Sequence, residues 1–355
     1  MNSNSTSLNR LFNPSGWLLF GFLSFVLIII ILTFVSTAQI WPFLFATLAS
    51  GSLGYLVVPI LQRIKASQII QEDGPQSHLK KAGTPTMGGI FFIPTAVIVG
   101  LILGGFTPEV IAVALVTLGY GFIGWVDDWQ ILRKKTNLGL TPKQKLVLQI
   151  GFAILFCVWM YFSQSTSITN INLPFNIILP LGFFFWVVAS FVMVAESNAT
   201  NLTDGVDGLA GGTCAIAFLG LGILAGENHP DLLAFCLAIS GGCLGFVLHN
   251  RNKASVFMGD TGSLALGAGL AAVGILSQNL WGLFIISLLF FVESLSVIAQ
   301  VAYYKATKDA DGKGKRLLKM APIHHHLELS GWTETQIVGV FYVINTVLIL
   351  WVINH

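Results

Sequence analysis

The residues able to do chemistry fall into a few short stretches that lie far apart in the chain. Asp127 and Asp128 are adjacent, at the end of an apolar run. Asn201, Asp204 and Asp207 recur every three positions within Asn201-Leu-Thr-Asp-Gly-Val-Asp-Gly208. Asp260 lies inside Phe257-Met-Gly-Asp-Thr-Gly-Ser263, ten residues after Asn250. Lys80 and Lys81 precede Gly83-Thr-Pro-Thr-Met-Gly-Gly89, which carries Thr86, and His324, His325 and His326 are consecutive in Ala321-Pro-Ile-His-His-His326.

Each stretch suits a particular chemistry. Neighbouring residues on a helix project about 100° apart, so the Asp pair suggests divided tasks: one carboxylate toward metal or substrate, the other toward a lysine. One helical turn would put Asn201, Asp204 and Asp207 on a single face. Two carboxylates and an amide there suit a hard cation, or a sugar and base rich in hydrogen-bond donors. Glycines near Asp260 let it approach a ligand closely, so that it could hold Mg²⁺ together with phosphate oxygens. A Gly- and Pro-containing turn ahead of a helix can cradle phosphate. The three histidines lack the i, i+4 spacing of a zinc pair on one helix and read better as donors to phosphate. Plainer readings compete: a helix cap for the Asp pair, a turn aspartate for Asp260, and for the lysines a basic loop drawn to anionic head groups.

What decides between these readings is whether the stretches meet, and that depends on the elements that carry them. The chain has 355 residues, 54% hydrophobic and 10% charged, against roughly 25% charged in a soluble domain. So few charges cannot cover a water-facing surface. Apolar runs at 17–37, 40–61, 87–105, 108–126, 146–163, 176–196, 208–226, 231–249, 261–277, 280–304 and 335–353 approach the roughly 20 residues that cross a bilayer as a helix. The expected architecture is therefore all-α: a polytopic integral membrane helix bundle of about eleven transmembrane helices. Residues 1–16 form a polar cytoplasmic segment, and 17–353 form one transmembrane catalytic domain with five cytoplasmic loops. The first run is long for the apolar core of a signal peptide and is read as a retained helix.

Charge placement orients the bundle. With the amino terminus in the cytoplasm, all 18 Lys and Arg fall on one side, at Arg10 and within 63–81, 133–145, 251–253 and 305–319. The opposite loops carry none, the pattern expected when the basic side is cytoplasmic. The five chemistry-bearing stretches share that side. Among the chemistry-bearing polar residues only Glu293 clearly lies within a run, which argues against a transport pathway at the bilayer midplane. Lys143 and Lys145 read as lipid- or phosphate-facing. Cys157, Cys214, Cys236 and Cys243 form no CxxC pair and read as small core residues.

The five motifs, in this order, resemble those of the phospho-N-acetylmuramoyl-pentapeptide transferase family, within the superfamily that transfers N-acetylhexosamine 1-phosphates to polyprenyl phosphates. The resemblance covers the chain from about residue 60 onward. It implies UDP-N-acetylmuramoyl-pentapeptide and undecaprenyl phosphate as substrates, Mg²⁺ as cofactor, and a multi-pass protein of the bacterial inner membrane with its active site on the cytoplasmic face. It implies Asp127, Asp128, Asp260 and His325 as catalytic residues and Asp260 with Asn201 at the metal. It also implies Lys81, Thr86, Asn201, Asp204, Asp207, Asn250, Gln300, His324 and His326 as substrate-binding residues, with Glu293 and Gln300 bracing the last loop. Membrane lipid is an expected partner, nucleic acid is not, and a homodimer is compatible with this reading. Lys253 stands where the family has proline, Trp129 where tyrosine is common, and the first helix is an addition to the usual ten spans. Two alternatives remain open: a sibling enzyme using UDP-N-acetylglucosamine, and a transporter. UMP release on mixing nucleotide sugar with lipid phosphate separates them.

Overall fold

The computed structural model describes residues 13–64, 81, 83–134, 139–175 and 177–355. Most of the polar 1–16 segment, and Lys80, lie outside the described residues. Long apolar stretches become helices because, without water, only an intra-segment ladder satisfies every backbone N–H and C=O. In chain order these are α1 (Pro14–Phe34), α2 (Trp41–Arg63), α3 (Gly89–Leu103), α4 (Pro108–Lys134) and α5 (Pro142–Ser163), followed by α6 (Phe184–Thr203), α7 (Leu209–Gly226), α8 (Pro230–Asn250) and α9 (Asp260–Leu276). The last four are α10 (Leu280–Ile286), α11 (Leu288–Ala306), the short α12 (Ile323–Glu328) and α13 (Glu334–Ile353). Local signals fix several starts. Thr141 with Gln144, and Thr333 with Gln336, form reciprocal capping boxes at the heads of α5 and α13.

The protein is nearly all helical and multi-pass. Among the described residues eight helices are long and apolar enough to cross a membrane, and α3 and α9 are shorter apolar helices. Three local expectations are corrected. The run expected as a helix over 176–196 begins instead in a strand: β1 (Asn170–Leu173) pairs antiparallel with β2 (Ile177–Pro180), and α6 starts only at Phe184. The 280–304 run is two helices broken at Ser287. Nor is Glu293 the only acid buried within the spans. Glu196 on α6 is fully buried and accepts a 2.7 Å hydrogen bond from Ser287 Oγ at that break.

The centre of the bundle is made of α7, α8 and α9, whose side chains are mostly buried. They are rich in Gly and Ala, which lets helix backbones approach closely. α8 packs on α2, α3 and α7, while α9 packs on α4 and α6. Outer helices present large apolar side chains to the surroundings, for example Leu18, Phe25 and Leu32 on α1 and Val147, Leu155 and Phe162 on α5. In water such a belt would be costly; facing lipid it is the expected surface.

Candidate active site

The chemistry-bearing stretches converge at one end of this bundle. α4 brings Asp127 and Asp128 to the head of α9, where Asp260 is the first helical residue. The N-cap of α9 is Gly259, which has no side chain to satisfy the first N–H groups. Asp128 does this from the neighbouring helix, accepting from Thr261 N at 3.0 Å, Thr261 Oγ1 at 2.7 Å and Asp260 N at 3.3 Å. A carboxylate at a helix amino terminus is also favoured by the helix dipole. Asp127 faces the other way, accepting from Leu140 N at 2.8 Å with Lys145 Nζ at 3.4 Å. The expected division of labour therefore holds for Asp127, which meets a lysine, whereas Asp128 meets a helix end.

Lys145, at the head of α5, also pairs with Asp260 Oδ2, so its ammonium stands between the carboxylates of α4 and α9. It is neither lipid-facing nor incidental. In sequence its neighbours Lys143 and Leu146 gave no sign of this; only the docking of α5 beside α4 shows it. Asn201, in the last turn of α6, donates to Asp260 Oδ1 at 2.8 Å and to Ser263 Oγ at 2.9 Å. In this orientation Asn201 steers the Asp260 carboxylate and does not offer it an oxygen neighbour.

Asn201, Asp204 and Asp207 do not lie along one helical turn. α6 ends at Thr203, Asp204 takes a non-helical conformation, and the chain turns through Gly208 at φ 84° into α7. This left-handed conformation is one that glycine adopts without steric cost. Asp204 then points toward Asp260 and accepts from the Gly259 backbone. Burial, then the carboxylates of Asp260, Asp128 and Asp207, push its pKa up to about 8. Asp207 turns to a second cluster. Its Oδ1 accepts from Lys81 Nζ at 2.8 Å and its Oδ2 from Ala254 N at 2.9 Å. Lys81 Nζ also reaches Glu334 Oε2 at 2.8 Å, a partner at the head of α13 that the sequence reading missed. Burial alone would pull the Lys81 ammonium down, but Asp207 and Glu334 outweigh it and the net displacement is upward.

The loop before α3 is fastened to the loop before α9 by backbone bonds: Phe257 N to Pro85 O at 2.8 Å, Gly88 N to Phe257 O at 2.8 Å and Gly89 N to Met258 O at 3.0 Å. This sets Thr86, which is buried, against Gly259. The histidines split. His324 is buried, bonded through Nδ1 to Glu293 Oε2 at 3.1 Å, and its Nε2 lies against Gly205 next to Asp204. His325 packs on His324 with centroids 4.1 Å apart and bonds Glu328 at 2.7 Å.

Three expected ligand-binding residues are committed to the protein itself. His326 Nδ1 accepts from Lys319 N at 3.1 Å, and Gln300 binds Leu317 N at 3.0 Å and Leu318 N at 2.8 Å, so both hold the last loop. Asn250 Oδ1 accepts from Gly208 N and its Nδ2 donates to Val256 O, both at 2.8 Å, tying together the two turns that present Asp207 and Asp260.

Among the described residues no three His, Cys, Asp or Glu side chains converge closely enough to hold a metal ion by themselves. The donor chemistry nonetheless fits a hard divalent cation. Asp127, Asp128, Asp204 and Asp260 share one neighbourhood, with Lys145 the ammonium paired among them. Mg²⁺ commonly takes only one or two protein carboxylates and completes its shell with water and substrate phosphates.

An apolar helix bundle with a carboxylate-rich, lysine-bearing cluster at one end suits a membrane-embedded transferase, and comparison with known proteins agrees. The family model described as Glycosyl transferase family 4 matches residues 110–278, and phospho-N-acetylmuramoyl-pentapeptide-transferase signature 1 matches residues 81–93. A phospho-N-acetylmuramoyl-pentapeptide-transferase of Rippkaea orientalis is 67% identical over 314 residues, covering 88% of this chain and 86% of the relative. Those of Microcystis aeruginosa and Synechocystis sp. are 62% and 61% identical, covering 99% and 98% of this chain and 98% and 97% of the relatives. The chain belongs to the phospho-N-acetylmuramoyl-pentapeptide-transferase family.

Proposed function

We propose that this protein transfers phospho-N-acetylmuramoyl-pentapeptide from UDP to undecaprenyl phosphate at the cytoplasmic face of the bacterial inner membrane, with Mg²⁺ as cofactor. The products are a lipid-linked peptidoglycan precursor and UMP. The names of its relatives support the reaction, and the one-sided distribution of Lys and Arg supports the side. The single observation that carries the chemistry is the meeting of Asp127, Asp128, Asn201 and Asp204 around Asp260, from segments remote in sequence, with Lys145 paired to Asp127 and Asp260.

In this reading an oxygen of the lipid phosphate attacks the phosphorus bonded to the sugar. The bond from that phosphorus to the UMP oxygen breaks, and its electron pair leaves with UMP. Asp260 would hold Mg²⁺, which when bound would supply positive charge to the diphosphate. Asp128 and Asn201 fix the backbone and carboxylate of Asp260 by the contacts described above. The lipid phosphate is already anionic at neutral pH, so Asp127 mainly orients it and contributes modestly as a base. Lys145 stands where negative charge develops and stabilises it. Lys81, Thr86 and Asp207 line the uridine-diphosphate end. His325, supported by His324, contacts phosphate, while Asn250, Gln300 and His326 keep the loops in place.

The test is UMP release by purified protein given undecaprenyl phosphate and each nucleotide sugar, with and without Mg²⁺. Turnover of UDP-N-acetylmuramoyl-pentapeptide that depends on Mg²⁺ is expected. Release from UDP-N-acetylglucosamine alone would overturn the substrate assignment.

A further inference from the structure

The amino end of α1 reaches the Lys81–Asp207–Glu334 cluster through one asparagine. Asn13 is the N-cap residue of α1, a position where an asparagine side chain ordinarily accepts from its own helix. Here it makes no such bond. Ser15 Oγ donates to Asn13 Oδ1 at 3.0 Å, which leaves the amide nitrogen to point away from the helix. That nitrogen donates to the Asn252 backbone oxygen at 2.9 Å and to Asn252 Oδ1 at 2.8 Å. With its oxygen so engaged, Asn252 can turn only its NH₂ toward the neighbouring carboxylates. It donates to Glu334 Oε2 at 3.0 Å and lies 3.5 Å from Asp207 Oδ2. These are the two carboxylates that hold Lys81.

Two further contacts keep this end of α1 seated. Gly16 lies directly against the Asn252 carbonyl, in space that any Cβ would fill. The Arg251 guanidinium sits 3.8 Å from the centroid of the Trp17 ring, a cation–π contact of the kind worth most when partly desolvated. A helix at the edge of the bundle thus sacrifices its own cap to fix the amide orientation of one residue in the loop between α8 and α9.

We infer that Asn13 is a positioning residue for the nucleotide end of the substrate site, acting through Asn252 on the Lys81–Asp207–Glu334 cluster. The hydrogen-bond polarity runs in one direction, from Asn13 N–H to the Asn252 oxygens and from Asn252 N–H to the carboxylates. Reversing the first link should reverse the second and turn a carbonyl oxygen toward Asp207 and Glu334. The inference rests on the assignment of Lys81 to the uridine-diphosphate end, so its test carries a separate arm for that assignment.

The measurement is steady-state UMP release with donor and lipid acceptor varied independently, alongside thermal unfolding in the same detergent. Asn13→Asp keeps the shape but cannot donate to the Asn252 oxygens. It should raise the donor KM about tenfold while leaving the acceptor KM unchanged, and Asn13→Ala, which merely removes the donor, should raise it about threefold. Leu23→Ala, a core truncation on the same helix, should lower the unfolding temperature without moving the donor KM. Donor KM values at wild type in both Asn13 variants would overturn the inference, as would a Leu23→Ala donor KM raised as much as that of Asn13→Asp, since packing alone would then explain the effect. Should Asn13→Asp fail to fold, Asn13→Ala decides. Lys81→Met tests the underlying assignment. If it raises the donor KM and the Asn13 variants do not, only the present inference fails; if it leaves the donor KM unchanged, the assignment and the inference fail together.

Discussion

Two clusters of charge flank the turn between α6 and α7, and they are balanced differently. Around Asp260, among the described residues, four carboxylates gather with one paired ammonium, Lys145, which meets Asp127 and Asp260. Around Lys81, two carboxylates share one ammonium among the described residues and are further satisfied by neutral donors, the Asn252 amide and the Ala254 N–H. The first cluster carries surplus negative charge in a poorly hydrated place, which is stable only with more cation or with protons. The second is nearly closed and holds its lysine ready. In the proposed function, metal and reacting phosphates belong to the first side and recognition of the rest of the nucleotide to the second.

The largest effect should follow from removing the centre of the surplus. Asp260→Asn is expected to lower turnover by about a thousandfold or more, with the unfolding temperature little changed, because one oxygen donor and one charge vanish where neither holds up the core. UMP release and thermal unfolding check it, and near-normal turnover would dissolve the contrast between the clusters. Lys145→Met comes next, at about a hundredfold in kcat. Because the ammonium competes with any cation for Asp260, this variant should also bind divalent metal more tightly than wild type, which titration calorimetry reads directly. On the balanced side Glu334→Gln leaves Asp207 to pair with Lys81 and keeps an oxygen for Asn252. Its donor KM should rise only about two- to fivefold.

The smallest effect is a pH signature of the surplus. Asp204 has its pKa raised from 3.8 to about 8. The fold favours its protonated form, so its contribution to stability is complete below the unfolded value near 4 and is lost as pH rises through about 8. Metal-free protein should unfold at a lower temperature at about pH 8.5 than at about pH 6, and added Mg²⁺ should narrow that gap. A gap that Mg²⁺ leaves untouched would detach Asp204 from the metal side.

Much of this was legible in the sequence, and the exceptions have physical causes. Hydropathy located the helices because a bilayer imposes length and apolarity on each one. It could not see β2, since Ile177–Pro180 is as apolar as the helix that follows. Nor could it see the break at Ser287, which involves a serine hydroxyl and a buried glutamate far away in sequence. Motif chemistry marked Asp127, Asp128, Asp204 and Asp260 correctly as neighbours. It misjudged the geometry of Asn201, Asp204 and Asp207 because periodicity assumed a continuous helix where Asp204 leaves the helical conformation. Asn250, Gln300 and His326 have the same donors and acceptors as ligand-binding residues; only tertiary contacts show that those groups are used internally. Lys145 was read as lipid- or phosphate-facing without its carboxylate partners, and Glu334 was missed, for the converse reason: both are ordinary charges at helix starts that packing carries to the acidic clusters.

The most direct test is the binding of Mn²⁺, a paramagnetic substitute for Mg²⁺, followed by electron paramagnetic resonance in wild type and Asp260→Asn with UDP present. The account predicts that wild type takes up one Mn²⁺ per chain with nucleotide bound and that Asp260→Asn loses this site while still unfolding cooperatively. Equal Mn²⁺ uptake by the two proteins would contradict it.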